Sequence, residues 1–197
     1  MLLFIDVETT GLDPGRHEIV ELAVIQASDT CQVLQEYSGK VAPQRIEVAE
    51  LAALEVCGWT AEEWAGAPSL REVLDQARPL FQEGAIPAGH NVTFDLAFLG
   101  EAWQQCGIAS PALGYHRLDT VALAWPFYAL RCTYSLNLDT VCQHLGIPRP
   151  HPHRALTDAR ASLEVARKTL AIASVVADFG LDKFLKVDAL CFPKVER

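Results

Sequence analysis

The stretch Phe4-Ile5-Asp6-Val7-Glu8-Thr9-Thr10-Gly11 places two carboxylates in a segment that otherwise has the composition of a buried β-strand. Side chains alternate along a strand, so Asp6 and Glu8 share one face and the other face is wholly apolar. Ionised carboxylates inside a sheet are costly to desolvate, and two neighbouring ones repel each other. Two explanations remain open: a divalent cation such as Mg²⁺ or Mn²⁺ compensates the acids, or both acids are solvated where the strand ends.

The length and composition predict one compact α/β domain. The chain has 197 residues, of which 50% are hydrophobic, enough for a single core. We expect a domain over residues 1–172 and a C-terminal appendage over 173–197. No basic segment precedes the first strand, and the uncharged run from Thr120 to Leu130 is too short to cross a bilayer. A cytoplasmic protein without a signal peptide or membrane contact is therefore predicted.

The charges and cysteines limit the classes of partner. The six cysteines form no CxxC pair, so reduced structural thiols are expected rather than a zinc site or a disulfide framework. A net charge of -9 argues against nucleic acid, because phosphate binding normally needs a basic surface. However, residues 1–110 carry 17 acids and 5 Lys or Arg, whereas residues 116–168 carry 4 acids and 7 Lys or Arg. A protein that holds phosphate through metal ions also needs fewer basic side chains.

The apolar periodicity predicts an initial group of strands, followed by helices that alternate with further strands. Strands are predicted at residues 2–8, 19–26, 32–41, 85–88 and 115–118. Helices are predicted at residues 49–54, 70–81, 93–107, 135–145 and 155–176, and another begins near Asp119. Ser69 and Thr93 are the predicted N-caps of two of them. This order indicates an α/β fold in which a central mixed sheet is covered by helices on both faces.

Two further acids, Asp95 and Asp158, fall in the first turns of predicted helices. Acids are common there because the exposed backbone N–H groups and the helix dipole favour negative charge, so a purely structural role is the alternative for each. The surrounding sequences are more specific than that alternative requires. They are Gly89-His90-Asn91-Val92-Thr93-Phe94-Asp95 and His153-Arg154-Ala155-Leu156-Thr157-Asp158.

Three motifs together resemble the DEDDh 3′-5′ exonucleases, the DnaQ-like branch of the RNase H-like fold. They are Asp6-x-Glu8 in a strand, His90-Asn91-x-x-Phe94-Asp95, and His153-x-x-x-x-Asp158. The resemblance covers residues 2 to about 172 and includes the spacer from Ile46 to Glu62. It implies a mixed five-stranded sheet, an antiparallel meander extended by parallel strands, with flanking helices.

The resemblance also implies a catalytic role for Asp6, Glu8, Asp95, His153 and Asp158. Four converging carboxylates would hold two Mg²⁺ or Mn²⁺ ions about 3.5 to 4 Å apart, a separation suited to phosphoryl displacement. By family likeness the four acids are the metal ligands and His153 is the general base. His151 is the rival base, and the spacing of five residues before Asp158 favours His153. No tyrosine follows Tyr134, which disfavours the sibling group that has tyrosine at this position.

The substrate contacts are less sharply defined by the sequence. The residues that match the family's substrate-binding positions are Thr9, Thr10, Gly11, Leu12, His90 and Asn91. Leu12 is expected to act as an apolar wedge beside the terminal base or to make an ordinary turn contact. His90 and Asn91 have structural roles as their alternatives. Four arginines are candidates for phosphate contacts or solvated surface charges: Arg131, Arg149, Arg154 and Arg160.

The leading hypothesis is a metal-dependent exonuclease that hydrolyses single-stranded DNA or RNA from a free 3′ end and releases nucleoside 5′-monophosphates. One alternative is a polymerase-associated proofreading subunit, and another is a non-catalytic module that binds nucleic acid or protein. The motifs do not distinguish DNA from RNA, because that distinction depends on contacts to the 2′-hydroxyl. Homodimer formation is a further possibility that the sequence leaves open.

Overall fold

The computed structural model describes residues 1–179, which form a five-stranded sheet and six α-helices. The strands are β1 (Leu2–Thr9), β2 (Ile19–Ala27), β3 (Val33–Lys40), β4 (Ile86–Gly89) and β5 (Leu118–Asp119). The helices are α1 (Leu51–Cys57), α2 (Leu70–Ala77), α3 (Val92–Gln105), α4 (Thr120–Ala129), α5 (Leu138–Leu145) and α6 (Ala155–Phe179).

The sheet is mixed, with β1 at its centre and the strand order β3-β2-β1-β4-β5. β1 pairs antiparallel with β2 and parallel with β4, and β4 pairs parallel with β5. The carboxyl ends of the three parallel strands therefore lie at the same edge of the sheet. The last residue of each is followed within a few positions by a turn or a helix, so this edge collects side chains from distant parts of the chain.

The two faces of β1 pack against different helices. Leu3, Ile5 and Val7 belong to the core that includes residues of α2 and α3, whereas Leu2 and Phe4 pack against residues of α6. The predicted alternation and the mixed sheet flanked by helices on both faces are thus confirmed. Glu8 follows the alternation and lies on the α6 side, so the first turn of α6 lies close to it.

Several element boundaries differ from the sequence-based expectation. Thr93 is not the N-cap of α3; Asn91 is, in a left-handed conformation with φ 64°. α2 ends at Ala77, because Pro79 lacks the N–H that a continued helix needs, and a short 3₁₀ turn follows. β5 has only two residues, and α5 begins three residues later than predicted, after the cap residue Asn137. Ser69 caps α2 as predicted, in a reciprocal capping box with Glu72.

The predicted appendage lies mostly outside the described residues. Helix α6 continues without a break across residue 172 and reaches Phe179, so the division at 172/173 stays a prediction. Within residues 1–179, no helix has the length and hydropathy needed to cross a membrane. The five described cysteines are free thiols, as expected, and Cys191 lies outside that range.

Candidate active site

Asp6 and Glu8 lie at the carboxyl end of the central strand. Glu8 is 9% exposed, whereas Asp6 keeps part of its surface in contact with solvent. Burial and, to a smaller extent, the charges of Asp158 and Glu21 together raise the pKa of Glu8 to about 8, against the opposing effect of Arg149. Burial also raises the pKa of Asp6 well above its usual range, and Asp95, Asp158 and Glu8 act in the same direction. Each acid therefore makes its neighbours harder to ionise.

Asp95 reaches this edge from the first turn of α3. Its Oδ1 accepts a hydrogen bond from the Val7 N–H at 2.9 Å, which ties the start of α3 to the strand between the two other acids. Asp95 is 4% exposed. Burial raises its pKa to about 8, the hydrogen bond from Val7 opposes the shift, and the nearby Asp119 adds to it.

Asp158 and His153 come from the start of α6 and the loop before it. Asp158 is 5% exposed, and its Oδ2 accepts a hydrogen bond from the His153 N–H at 3.2 Å. His153 has a left-handed backbone with φ 62° and is half-buried. Potential ligand atoms of Glu8, His153 and Asp158 all lie within 4.8 Å of one another. The rival base His151 is exposed and is not part of this group.

Arg149 is the main feature of the site that the sequence did not reveal. Its side chain is 7% exposed, and its Nε donates to Asp158 Oδ1 at 2.7 Å while Nη2 donates to Oδ2 at 2.5 Å. Its Nη1 also contacts Asp139 on α5. We had predicted a phosphate contact or a solvated charge here. Arg149 is instead a buried counter-charge within the acid cluster, and its setting between Pro148 and Pro150 gave no signal of this.

Two other candidate arginines also pair with acids. Arg154 bridges Glu21, at 2.9 Å, and Glu63, at 3.2 Å. Arg160 pairs with Glu36. These guanidinium groups therefore form ion pairs with acids of β2, β3 and the segment before α2. The predicted phosphate contact receives no support at either residue. Arg131 makes no ion pair with any residue in the described range 1–179.

Asp119 is a second site residue that sequence reasoning treated only as a helix start. Its Oδ1 accepts hydrogen bonds from the Val121 N–H at 2.9 Å and the Asn91 N–H at 3.0 Å. It thereby joins the end of β5 to the left-handed turn that begins α3. A polar residue at the start of a helix is too common a pattern to have distinguished this role.

The predicted substrate-binding turn after β1 is held by its own hydrogen bonds. Thr9 Oγ1 donates to the Gly11 carbonyl at 2.7 Å, and Thr10 Oγ1 accepts from the Glu18 N–H at 2.9 Å. Any side chain on Gly11 would meet the buried His17 ring at 2.6 Å. Leu12 is the exception, because it is 74% exposed. It lines a cavity of about 320 Å³ beside Glu8, together with Phe94 and residues of α1.

His90 has a structural role, whereas the side chain of Asn91 is available for a substrate contact. His90 Nδ1 lies 2.9 Å from Thr120 Oγ1, and Nε2 lies 2.8 Å from the Leu136 carbonyl. Both ring nitrogens thus have protein partners, which favours the structural alternative for His90. Asn91 donates its backbone N–H to Asp119, while its side chain is exposed and makes no cap hydrogen bond.

The burial of the acids decides between the two explanations of the opening strand. Glu8, Asp95 and Asp158 are each less than a tenth exposed, so a solvated strand end does not describe them. The buried guanidinium of Arg149 pairs with Asp158, and the charges of Asp95, Asp158 and Glu8 add to the effect of burial in raising the pKa of Asp6. A set of hard oxygen donors with excess negative charge fits divalent cations. Among the described residues, Glu8, His153 and Asp158 form the group whose potential ligand atoms lie close enough together to hold one.

The fold and this edge of carboxylates together define a nuclease-type domain of the RNase H-like class. The sequence model of the RNase T group, described as exonuclease, matches residues 3–166. The chain belongs to this exonuclease family.

The relatives and solved structures agree with that assignment. The chain is 33% identical over 188 residues to the DNA polymerase III PolC-type of Thermotoga petrophila, with 94% of this chain and 13% of that protein aligned. The corresponding protein of Lacticaseibacillus paracasei is 31% identical, with 80% and 10% aligned. The chain thus spans about an eighth or less of these relatives.

Solved structures of exonuclease I share the fold. The E. coli enzyme in complex with a dT13 oligonucleotide has a TM-score of 0.77 at 19% identity, covering 90% of this chain and 42% of that one. Exonuclease I from Methylocaldum szegediense has a TM-score of 0.66 at 24% identity, covering 84% and 39%. A zinc-bound form of the E. coli complex with single-stranded DNA has a TM-score of 0.76 at 19% identity, covering 90% and 42%.

Proposed function

We propose that this protein is a metal-dependent 3′-5′ exonuclease that releases nucleoside 5′-monophosphates from single-stranded DNA or RNA. The observation that carries the proposal is the convergence of Asp6, Glu8, Asp95 and Asp158 beside His153 at one edge of the sheet. Membership of the exonuclease family supports it. The single-stranded DNA bound by exonuclease I supports the class of substrate.

The proposed metal ligands are the four carboxylates. Mg²⁺ or Mn²⁺ fits them best, because both prefer oxygen ligands and the site within the described residues offers mainly carboxylate oxygen. Bound ions would activate water and neutralise charge that develops on the phosphate. Arg149 leaves the carboxylate group with a net negative charge, so its presence does not remove the need for cations.

His153 is the proposed general base. It would accept a proton from the water whose oxygen attacks the phosphorus, while the bond from phosphorus to the 3′-oxygen of the preceding nucleotide breaks. The departing 3′-oxygen then takes a proton from solvent. The cavity lined by Leu12 and Phe94 beside Glu8 is the proposed place for the terminal nucleoside, with its base against the exposed Leu12 side chain.

The test uses 5′-labelled DNA and RNA oligomers with Mg²⁺ or Mn²⁺. We expect a ladder that shortens from the 3′ end, no ladder with EDTA, and a rate at least about 100-fold lower in Asp6→Asn, because the variant loses charge stabilisation of the transition state. Asp75→Asn, an exposed acid on α2, is the matched control and should cleave normally. Full activity in Asp6→Asn or in EDTA would refute the proposal.

Proofreading within or beside a polymerase is the second candidate function. The alignment of 94% of this chain with a segment of a PolC-type polymerase favours it. The test is a primer hybridised to a template, with the 3′ terminus either paired or mismatched. Proofreading predicts faster removal of the mismatched terminus and physical association with a polymerase. Equal rates of removal of paired and mismatched 3′ termini, without association with a polymerase, would contradict proofreading and support the general exonuclease activity alone.

A further inference from the structure

Helix α4 and the loop after it expose an unusual concentration of large aromatic side chains. Trp125 is 56% exposed, Tyr128 is 41% exposed and Tyr134 is 79% exposed. We call these three residues the aromatic platform. A helix in a compact domain normally turns its large apolar residues toward the core, and contiguous exposed apolar surface usually marks a binding site.

The platform lines two neighbouring depressions rather than a flat surface. The inner depression, of about 410 Å³, is lined by Asp119, Trp125 and Leu136 among others. The outer one, of about 540 Å³, is lined by Tyr128, Arg131 and Tyr134 among others. Trp125 and Tyr128 join them, because their ring centroids lie 5.6 Å apart. The Trp125 and Tyr128 rings are thus adjacent, and Tyr128 and Tyr134 line the same depression, which defines a path along α4 and the loop after it.

The charge of this surface is suited to a polyanion. Residues 120–138 contain no acid and one base, Arg131, in a chain with 25 acids and 16 Lys or Arg. Arg131 is exposed and is held in a left-handed conformation with φ 58°. It makes no ion pair with another residue of the described range. A phosphate backbone would therefore meet the exposed guanidinium of Arg131 at the outer depression, and the acid that lines the inner depression is Asp119, whose carboxylate accepts two backbone N–H groups.

Two residues that line the inner depression also contact the turn that begins α3. Asp119 lines it and also accepts the N–H of Asn91 at the start of α3, the helix that carries Asp95. Leu136 lines it, and its carbonyl oxygen accepts a hydrogen bond from His90 Nε2. From Asp119, Trp125 is about 9 Å further along the helix axis at 1.5 Å per residue. The path therefore leads outward from the carboxylates.

The platform and the Leu12 cavity lie on different sides of the acids. The Leu12 cavity is lined by β1 and α1, whereas the platform starts at the end of β5, two strands away in the sheet order. A strand whose 3′-terminal nucleoside occupies the Leu12 cavity would place its scissile phosphate at the carboxylates. The rest of the strand would then continue toward β5 and α4.

We propose that the aromatic platform stacks the bases of single-stranded nucleic acid upstream of the scissile phosphate. This inference rests on the proposed function and assigns a second substrate region to the same site. Aromatic rings stack on any base, because every base has a π-face. The platform would thus increase the number of nucleotides that the protein binds without selecting their sequence. Stacking on the base also does not distinguish DNA from RNA.

The test compares a dodecamer of deoxythymidine with a dinucleotide, which is too short to reach the platform. The measured quantity is kcat/KM for the dodecamer divided by kcat/KM for the dinucleotide. Trp125→Ala and Tyr128→Ala should each lower this ratio about 5- to 150-fold, the range expected from the loss of one base-aromatic contact. The change should lie in KM of the dodecamer. Trp125→Phe keeps an aromatic ring and should retain most of the ratio.

Tyr115→Ala is the matched control. Tyr115 is 95% exposed but precedes β5, at the edge of the sheet opposite the carboxylates, and its loss should leave the ratio unchanged. An unchanged ratio in both platform variants would overturn the inference, as would a change of oligomeric state in these variants at constant ratio, which would assign the surface to protein contacts. If the wild-type protein cleaved neither substrate, the proposed function itself would fail.

Discussion

At the scale of single residues, Arg149 changes the electrostatic interpretation of the site. The sequence presented four acids that only metal seemed able to compensate, and the structure places a guanidinium on both oxygens of one of them, Asp158. A buried ion pair of this kind gains little net stability, but removing one partner leaves an unpaired buried charge. Because Arg149 occupies the oxygens that a cation needs, it also opposes metal binding at Asp158.

Arg149→Gln is therefore expected to have opposite effects on metal affinity and on stability. Loss of the positive charge should tighten Mn²⁺ binding about tenfold or more, since 1.4 kcal/mol corresponds to tenfold in affinity and nearby charges interact by more than that. The metal-free protein should lose about 3–5 kcal/mol of unfolding free energy. Mn²⁺ titration by electron paramagnetic resonance and denaturant unfolding in EDTA measure the two effects.

Arg160→Gln is the control for this experiment, because it removes an arginine from an exposed ion pair with Glu36. Exposed pairs contribute about 0–1 kcal/mol, so both quantities should stay near their wild-type values. Weaker Mn²⁺ binding in Arg149→Gln would show that Arg149 organises the metal ligands rather than competing with the cation.

His153 and His151 offer a second residue-scale comparison. His153→Gln should lower kcat about 10²- to 10⁴-fold, the usual contribution of a general base, with little change in Mn²⁺ affinity. His151→Gln should cleave at the wild-type rate, because His151 is exposed and lies outside the group formed by Glu8, His153 and Asp158. A large loss of Mn²⁺ affinity in His153→Gln would make His153 a ligand rather than a base.

At the scale of elements, the turn between β4 and α3 shows what the sequence could and could not predict. The motif from Gly89 to Asp95 correctly located a helix start and its acid. It did not reveal that Asn91 adopts φ 64°, because asparagine is only one of several residues that begin helices. The hydrogen bonds from Asn91 to Asp119 and from Val7 to Asp95 join segments 28 and 88 residues apart, and local patterns carry no information about such pairs.

Substitutions of Asn91 separate this structural role from the predicted substrate contact. Asn91→Ala should destabilise the protein by about 1–2 kcal/mol, because alanine lacks the short polar side chain that makes the left-handed region accessible to asparagine. Asn91→Gly should be close to neutral, because glycine adopts this conformation readily. Thermal unfolding measures the difference.

The kinetics of Asn91→Gly then test the exposed side chain. An unchanged KM for oligonucleotides would assign Asn91 to the turn alone. A raised KM in a fully stable Asn91→Gly protein would instead support the predicted substrate contact. Equal stability of the alanine and glycine variants would contradict the strain argument.

At the scale of the whole molecule, the buried carboxylates that destabilise the fold when ionised lie at the same edge of the sheet as the proposed function. The mixed sheet, the alternation of β1 and the helices on both faces followed from the apolar periodicity and the order of the predicted elements, since burying each apolar face leaves few other arrangements. The inward position of Arg149, the hydrogen bonds of His90 and the aromatic platform did not, because they depend on which loops meet in space. Periodicity placed Asp6 and Glu8 on one face of an otherwise apolar strand, and the structure shows that Glu8 is buried there.

The stability of the whole molecule should therefore depend on pH and metal together. Glu8 and Asp95 have folded-state pKa values of about 8, against ordinary values of 4.5 and 3.8 for Glu and Asp. Between those values the folded state binds more protons than the unfolded state, so unfolding free energy falls as pH rises from about 4 to 8. Each carboxyl contributes at most about 1.4 kcal/mol per pH unit across this window.

In EDTA, the unfolding temperature should thus be lower at pH 8 than at pH 5.5, by several degrees if 1 kcal/mol corresponds to about 2–4 °C at this size. Mg²⁺ or Mn²⁺ should raise it more at pH 8, because the proposed metal ligands are deprotonated carboxylates. Asp95→Asn should flatten the dependence in EDTA, since the amide cannot ionise, and Asp75→Asn should not. An unfolding temperature in EDTA that rises from pH 5.5 to 8 would show that these buried acids do not govern the stability of the fold.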